Sequence, residues 1–167
     1  MDGINYLKIK YSPKVIGAKR DKRRLPPLDV EVEEGKELKI GSKTFEIYDV
    51  DGHTIGHIAY GLMEDKALFS GDSLMVMGCG RLFEGTPEDM WKSLKKLKQL
   101  PKDIMIYSGH EYTEANARFC QTIEKNNCQI HNFQELSTLR NLRVIVALGE
   151  VAYRQLLKLY NIKYNII

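Results

Sequence analysis

The sequence has no run of about eighteen apolar residues, the length a membrane-spanning helix needs, so no membrane span is expected. Its first residues, Met1-Asp2-Gly3-Ile4-Asn5-Tyr6, lack the basic-then-apolar pattern of a secretory signal. Cysteine is scarce: Cys79, Cys120 and Cys128 are odd in number, and no two form a C-x-x-C pair. That argues against a disulfide framework and reads as reduced thiols in a cytoplasmic compartment. A strong charge imbalance is also absent, and a net charge of +3 does not by itself point to nucleic acid. No Ser–His or Cys–His arrangement suggests a covalent nucleophile. What remains is an ordinary globular composition over 167 residues, enough for one domain or one and a fragment.

Three fragments stand out: Asp51-Gly52-His53-Thr54-Ile55-Gly56-His57, Phe69-Ser70-Gly71-Asp72-Ser73, and Tyr107-Ser108-Gly109-His110-Glu111-Tyr112. Each sets a histidine or aspartate beside glycine after an apolar, strand-like run. This places metal-type ligands on loops at strand ends, where the backbone turns sharply and side chains converge. Neutral imidazole and carboxylate suit zinc and similar divalent metals. Asp72 is central, because one carboxylate has two oxygens and bridges two cations. A fourth stretch, Gly78-Cys79-Gly80-Arg81-Leu82-Phe83-Glu84-Gly85-Thr86, lies between the second and third. Its glycines permit a tight path, and Cys79 between two of them reads as packed rather than nucleophilic.

The rest of the chain reads as alternating short elements. Met1 to Lys10 is expected to be a helix with Ile4, Leu7 and Tyr11 on one face, ended by Pro13. Lys14 to Gly17 reads as a short strand. Lys19 to Arg24 is a basic run, read as a solvated loop; the rival reading is an anion patch. Val30 to Tyr48 alternates as an antiparallel meander, and residues 57–60 and 67–69 make a further hairpin around Glu64-Asp65. Thr86-Pro87-Glu88-Asp89 is a helix start with Thr as N-cap, and Met90, Leu94, Leu97 and Leu100 give the apolar face. Ile104 to Tyr107 reads as a buried strand. Thr113 to Glu124 reads as a helix with Ala117, Phe119 and Cys120 packed. Leu142 to Leu148 is a continuous apolar strand, followed by an amphipathic helix over residues 150–160.

In order and spacing, these four blocks resemble glyoxalase II (hydroxyacylglutathione hydrolase), a branch of the metallo-β-lactamase superfamily. The similarity runs from about the first residues to about Asn126. It implies an α/β fold: part of an αββα sandwich over residues 1–126, with an unrelated βα tail over residues 127–167. It further implies a two-metal hydrolase that cleaves the thioester of S-lactoylglutathione to lactate and glutathione. His53 is then a ligand of the first metal, Asp72 the bridging and catalytic carboxylate, and His110 a ligand of the second. Zinc is the first expectation, with iron or manganese as alternatives. Arg81, Phe83 and Tyr112 match positions that hold glutathione. Core packing is the rival role for Phe83. His57 reads as supporting the ligands rather than as one of them. His131, three residues past Cys128, is too weak a pattern to read as zinc-binding.

The chain also departs from that family. The T-H-x-H-x-D-H block, which supplies further ligands, lies in the family just upstream of the residues matching Met1 to Ile4. The expectation is therefore a truncated chain with three ligands left, at most one weakened metal site around His53, Asp72 and His110, and impaired activity. An unpaired sheet edge then invites self-association. Residues 139–159 weakly resemble a strand–helix piece of bacterial uracil-DNA glycosylases. The rival functions are a non-catalytic remnant or binding module and, below it, a nucleic-acid-binding protein.

Overall fold

The structure is a computed structural model in which residues 2–123 are described. The expected tail strand and helix, the glycosylase-like segment and His131 lie outside the described residues, as does the boundary near residue 126.

Alternation with period two builds the main sheet. β3 (Glu37–Ile40), β4 (Lys43–Asp49), β5 (Ile58–Leu62), β6 (Ala67–Gly71) and β7 (Met105–Ser108) lie side by side in that order. The first four strands are antiparallel neighbours, and β7 joins β6 in parallel. The expected hairpin turns at a short 3-10 turn, Met63–Asp65, closed by Lys66 in the left-handed region at φ 51°.

Each face of the sheet carries its own core. On one face Val50, Ala59 and Leu68 pack with Tyr48, Ile104 and Ile106 against Leu97 of α2 (Pro87–Leu97). On the other, Ile47, Leu38 and Phe45 pack with Ile58 and Tyr60 against Val32, Val30 and Ile16. The small sheet that supplies those last residues is β1 (Ile16–Ala18) paired in parallel with β2 (Val30–Val32). The layers are therefore two strands, five strands and a helix.

α2 begins as its sequence requires. Thr86 Oγ1 accepts the Asp89 N–H at 3.2 Å, and the Asp89 carboxylate accepts the Thr86 N–H at 3.0 Å. This reciprocal pair is a capping box, with Pro87 in the first turn. Met90 and Leu97 are buried as expected, and Ser93 joins them by donating to the Asp51 carbonyl at 2.6 Å.

Four expectations are corrected. Val30–Val32 leaves the meander: the Val15 N–H donates to the Asp29 carboxylate and the Val30 N–H to the Val15 carbonyl, which docks β2 on β1 instead of β3. α1 (Asp2–Tyr11) forms, but of its expected apolar face only Ile4 is half-buried, while Leu7 and Tyr11 are exposed. β7 is only half-buried, because it is the last strand of the sheet and Met105 faces outward. α3 (Thr113–Ile123) buries Ala117, but Phe119 is exposed.

Candidate active site

Strand direction decides where the motifs meet. β5 is antiparallel to both β4 and β6, and β7 is parallel to β6, so β4, β6 and β7 all end at one rim of the sheet. The loop bearing His53 follows β4, Asp72 follows β6 directly, and His110 follows β7. Backbones run close at this rim. Gly71 has φ +55°, and a Cβ there would sit 2.5 Å from His57 Nε2. The segment from Gly78 to Gly85 is strapped across: Gly80 N–H donates to the Asp72 carbonyl at 2.7 Å, Phe83 N–H to the His53 carbonyl at 3.1 Å, and Gly85 N–H to the Gly52 carbonyl at 3.1 Å.

The three predicted ligand positions converge on one carboxylate. His53 Nε2 lies 3.4 Å from Asp72 Oδ2, and His110 Nδ1 lies 2.6 Å from Asp72 Oδ1. Each oxygen of Asp72 thus faces a different imidazole. Among the described residues, however, no group of three or more His, Cys, Asp or Glu is placed to hold one ion. The three expected ligand positions share Asp72, with His53 at one carboxylate oxygen and His110 at the other.

The donor chemistry fits a cation. His53 Nδ1 donates to the Arg81 carbonyl at 2.7 Å, since a carbonyl only accepts. His53 Nε2 then faces a carboxylate oxygen of Asp72 at 3.4 Å, a nitrogen–oxygen pair of the kind that suits a divalent cation. An N–H given to a backbone carbonyl is also how metal-binding histidines are commonly oriented.

His57 is engaged by other partners. Asp72 N–H donates to its Nε2 at 3.2 Å, and Thr54 Oγ1 lies 3.3 Å from its Nδ1. Burial, with His53 adding to it, pushes this imidazole below the ordinary histidine range. It is a neutral support for the Asp72 backbone.

The predicted substrate positions ring this centre. Phe83 packs edge-on against His53 at 5.1 Å between ring centroids, and the Arg81 guanidinium lies 5.5 Å from the Phe83 ring. Phe83 is 64% exposed, so its role is not core packing. Tyr112 stacks on His110 at 5.6 Å and borders an open recess of about 370 Å³ with Glu111, Glu114, Ala115 and Arg118. Cys79, expected to be packed between its glycines, is instead exposed and free of any disulfide, though the desolvation it does experience raises its thiol pKa above the ordinary value.

Sequence reasoning missed the role of the basic run. Arg20 donates to Asp49 at 2.6 Å and Asp51 at 2.7 Å, and Arg24 donates to Asp21, Glu84 and the Ile55 carbonyl. Lys19 and Lys22 pair with Glu33 and Glu31. The only signal was compositional: a dense basic run in a chain with the acids Asp49, Asp51 and Glu84 flanking the ligand blocks.

The comparison with protein families matches the model of the metallo-beta-lactamase superfamily over residues 5–110. The chain belongs to the metallo-beta-lactamase superfamily. It is 52% identical over 130 residues to a hydroxyacylglutathione hydrolase of Ruegeria pomeroyi, covering 78% of this chain and 51% of that protein. A Methylococcus capsulatus hydroxyacylglutathione hydrolase is 48% identical over 116 residues, covering 70% of this chain and 45% of its own. The chain spans about half the length of the curated relatives it matches. Among solved structures, TTHA1623 in a di-iron-bound form superposes with a TM-score of 0.56 at 26% identity, covering 65% of this chain and 63% of its own. Membership of the superfamily implies divalent metal binding. No helix among the described residues is long and apolar enough to cross a membrane.

Proposed function

We propose that this chain carries the shared carboxylate, two histidines and the thiol-tripeptide contacts of a glyoxalase II-class hydrolase, acting on the thioester of S-lactoylglutathione. The observation that carries this is Asp72, whose two oxygens face His53 and His110 separately. His53 with Asp72 would hold one divalent metal, and Asp72 with His110 the other. Zinc is our first choice, with iron or manganese next. A metal pair, when bound, supplies a hydroxide at neutral pH and polarises a carbonyl.

The chain's own residues do the rest. Arg81 offers a planar fork for a carboxylate of the glutathione moiety. Phe83 and Tyr112, both exposed beside the histidines, offer apolar walls, and Tyr112 adds a hydroxyl. The leaving thiolate needs little proton donation. Because the substrate contains glutathione and Cys79 is an unpaired thiol, we assign the protein to the cytoplasm.

A second reading is a binding module that holds the glutathione thioester without cleaving it. It is favoured by the lack of any three-donor group among the described residues. Two measurements on the full chain separate the readings: metal content after supply of zinc, iron or manganese, and S-lactoylglutathione turnover. Hydrolysis expects bound metal and turnover that chelation abolishes. Binding without turnover at every metal level sinks the hydrolase reading and leaves the module.

A further inference from the structure

We propose that Arg24 is a positioning residue, latching the loop that carries His53 to the loop that carries Arg81 and Phe83. The inference rests on the metal-dependent reading above and goes beyond it. One guanidinium reaches three partners: the Asp21 carboxylate, the Glu84 carboxylate and the Ile55 carbonyl. Glu84 closes the ring by accepting the Ile55 N–H at 2.8 Å. Both backbone groups of Ile55, two residues from His53, are therefore held. Glu84 sits next to Phe83, on the strap whose Arg81 carbonyl orients His53 at 2.7 Å.

The surroundings leave little slack. A Cβ added at Gly56 would lie 2.9 Å from Asp21 Cβ, so the turn before Arg24 packs directly on the ligand loop. Arg20 anchors the same loop through Asp51, whose other oxygen accepts the Gly56 N–H at 2.7 Å. An exposed ion pair alone contributes little stability. The effect here is geometric: a planar fork with three fixed acceptors sets the distance between two loops, which a lysine's single ammonium does not reproduce. Small misplacements of a ligand or substrate contact have large functional consequences.

The test uses the full chain with R24M, R24K, E84A and the R24M/E84A double variant. Three quantities are read: amide exchange at Ile55 and Gly56, cobalt(II) affinity by absorbance titration, and Tm as the control for folding. We expect Ile55 exchange to rise about tenfold or more. The cobalt Kd should rise about tenfold to a hundredfold, as for other groups that orient metal ligands. R24K should not rescue, and the double variant should be no worse than either single one. Unchanged Ile55 exchange in R24M, or in R24K and E84A should R24M not fold, overturns the latch. Faster exchange with unchanged cobalt affinity overturns the positioning role. A wild-type chain that takes up no cobalt overturns the metal-dependent function instead, together with the positioning that depends on it; the wild-type titration alone identifies that case.

Discussion

Gly109 stands so close to Asp72 that a Cβ at position 109 would lie 2.7 Å from the carboxylate Oδ1. That same oxygen is the one His110 Nδ1 reaches at 2.6 Å. The glycine before His110 is thus a spacing requirement of the centre. Gly109→Ala is expected to leave the chain folded but to push the carboxylate aside. Metal affinity by calorimetric titration should fall about tenfold to a hundredfold, with little change in Tm. An alanine variant that binds metal like the parent would show that the carboxylate has room to move.

The capping box sets an acid limit on stability. The Thr86 N–H, and then its hydroxyl, hold the Asp89 carboxyl below the ordinary carboxylate range. The Ile55 N–H, followed by Arg24, does the same for Glu84. A carboxyl whose value is lower in the fold than in the unfolded chain stabilises the fold fully above the ordinary value of about 4. That contribution is lost as pH falls through the lower, folded value. Thermal melts between pH 7 and pH 3 should therefore show Tm falling at the acid end, and Asp89→Asn should make that limb shallower. Thr86→Ala should cost about 1 kcal/mol at neutral pH.

Leu68 is almost wholly buried between β5 and α2, at 1% exposure. Leu68→Ala is expected to cost about 2 to 5 kcal/mol, read from denaturant midpoints. Phe119→Ala, at an exposed position of α3, should stay within about 0.5 kcal/mol of the parent. Equal effects would mean that the core is not where the packing puts it.

Ile16, Leu38, Ile40, Phe45, Tyr60 and Phe69 line an open apolar groove of about 280 Å³ beside β3. β3 and β7 are the two outer strands of the main sheet among the described residues. Outer strands and apolar grooves both favour self-association. Sedimentation of the full chain is expected to show oligomers that grow with concentration, and Ile40→Lys should shift them toward monomer. A parent chain that is monomeric at every concentration would remove this expectation.

The placement of His53, Asp72 and His110 on turns at strand ends was legible because it is local. Glycine beside His53, Asp72 and His110, after apolar strands, specifies a sharp turn with a donor at its tip, whatever surrounds it. The same holds for Thr86 and Asp89, whose two hydrogen bonds lie within one helical turn. Period two in residues 43–49, 58–62 and 67–71 likewise determined two-faced strands, because one face packs on the small sheet and the other on α2.

Partner choice across the chain was decided only by the tertiary structure. Val30–Val32 alternates as well as its neighbours do, yet it pairs with Ile16–Ala18, because a strand pattern states which face is apolar and not which edge it meets. Leu7, Tyr11 and Phe119 read as apolar face positions but stay exposed, since helical spacing names a face and not the layer that would cover it. Arg20 and Arg24 read as a solvated run, yet they pair with Asp49, Asp51 and Glu84, acids more than twenty residues away that flank the His53 loop. Which oxygen of Asp72 faces which histidine depends on three strand ends meeting at one rim, a long-range consequence of sheet order that no local pattern encodes.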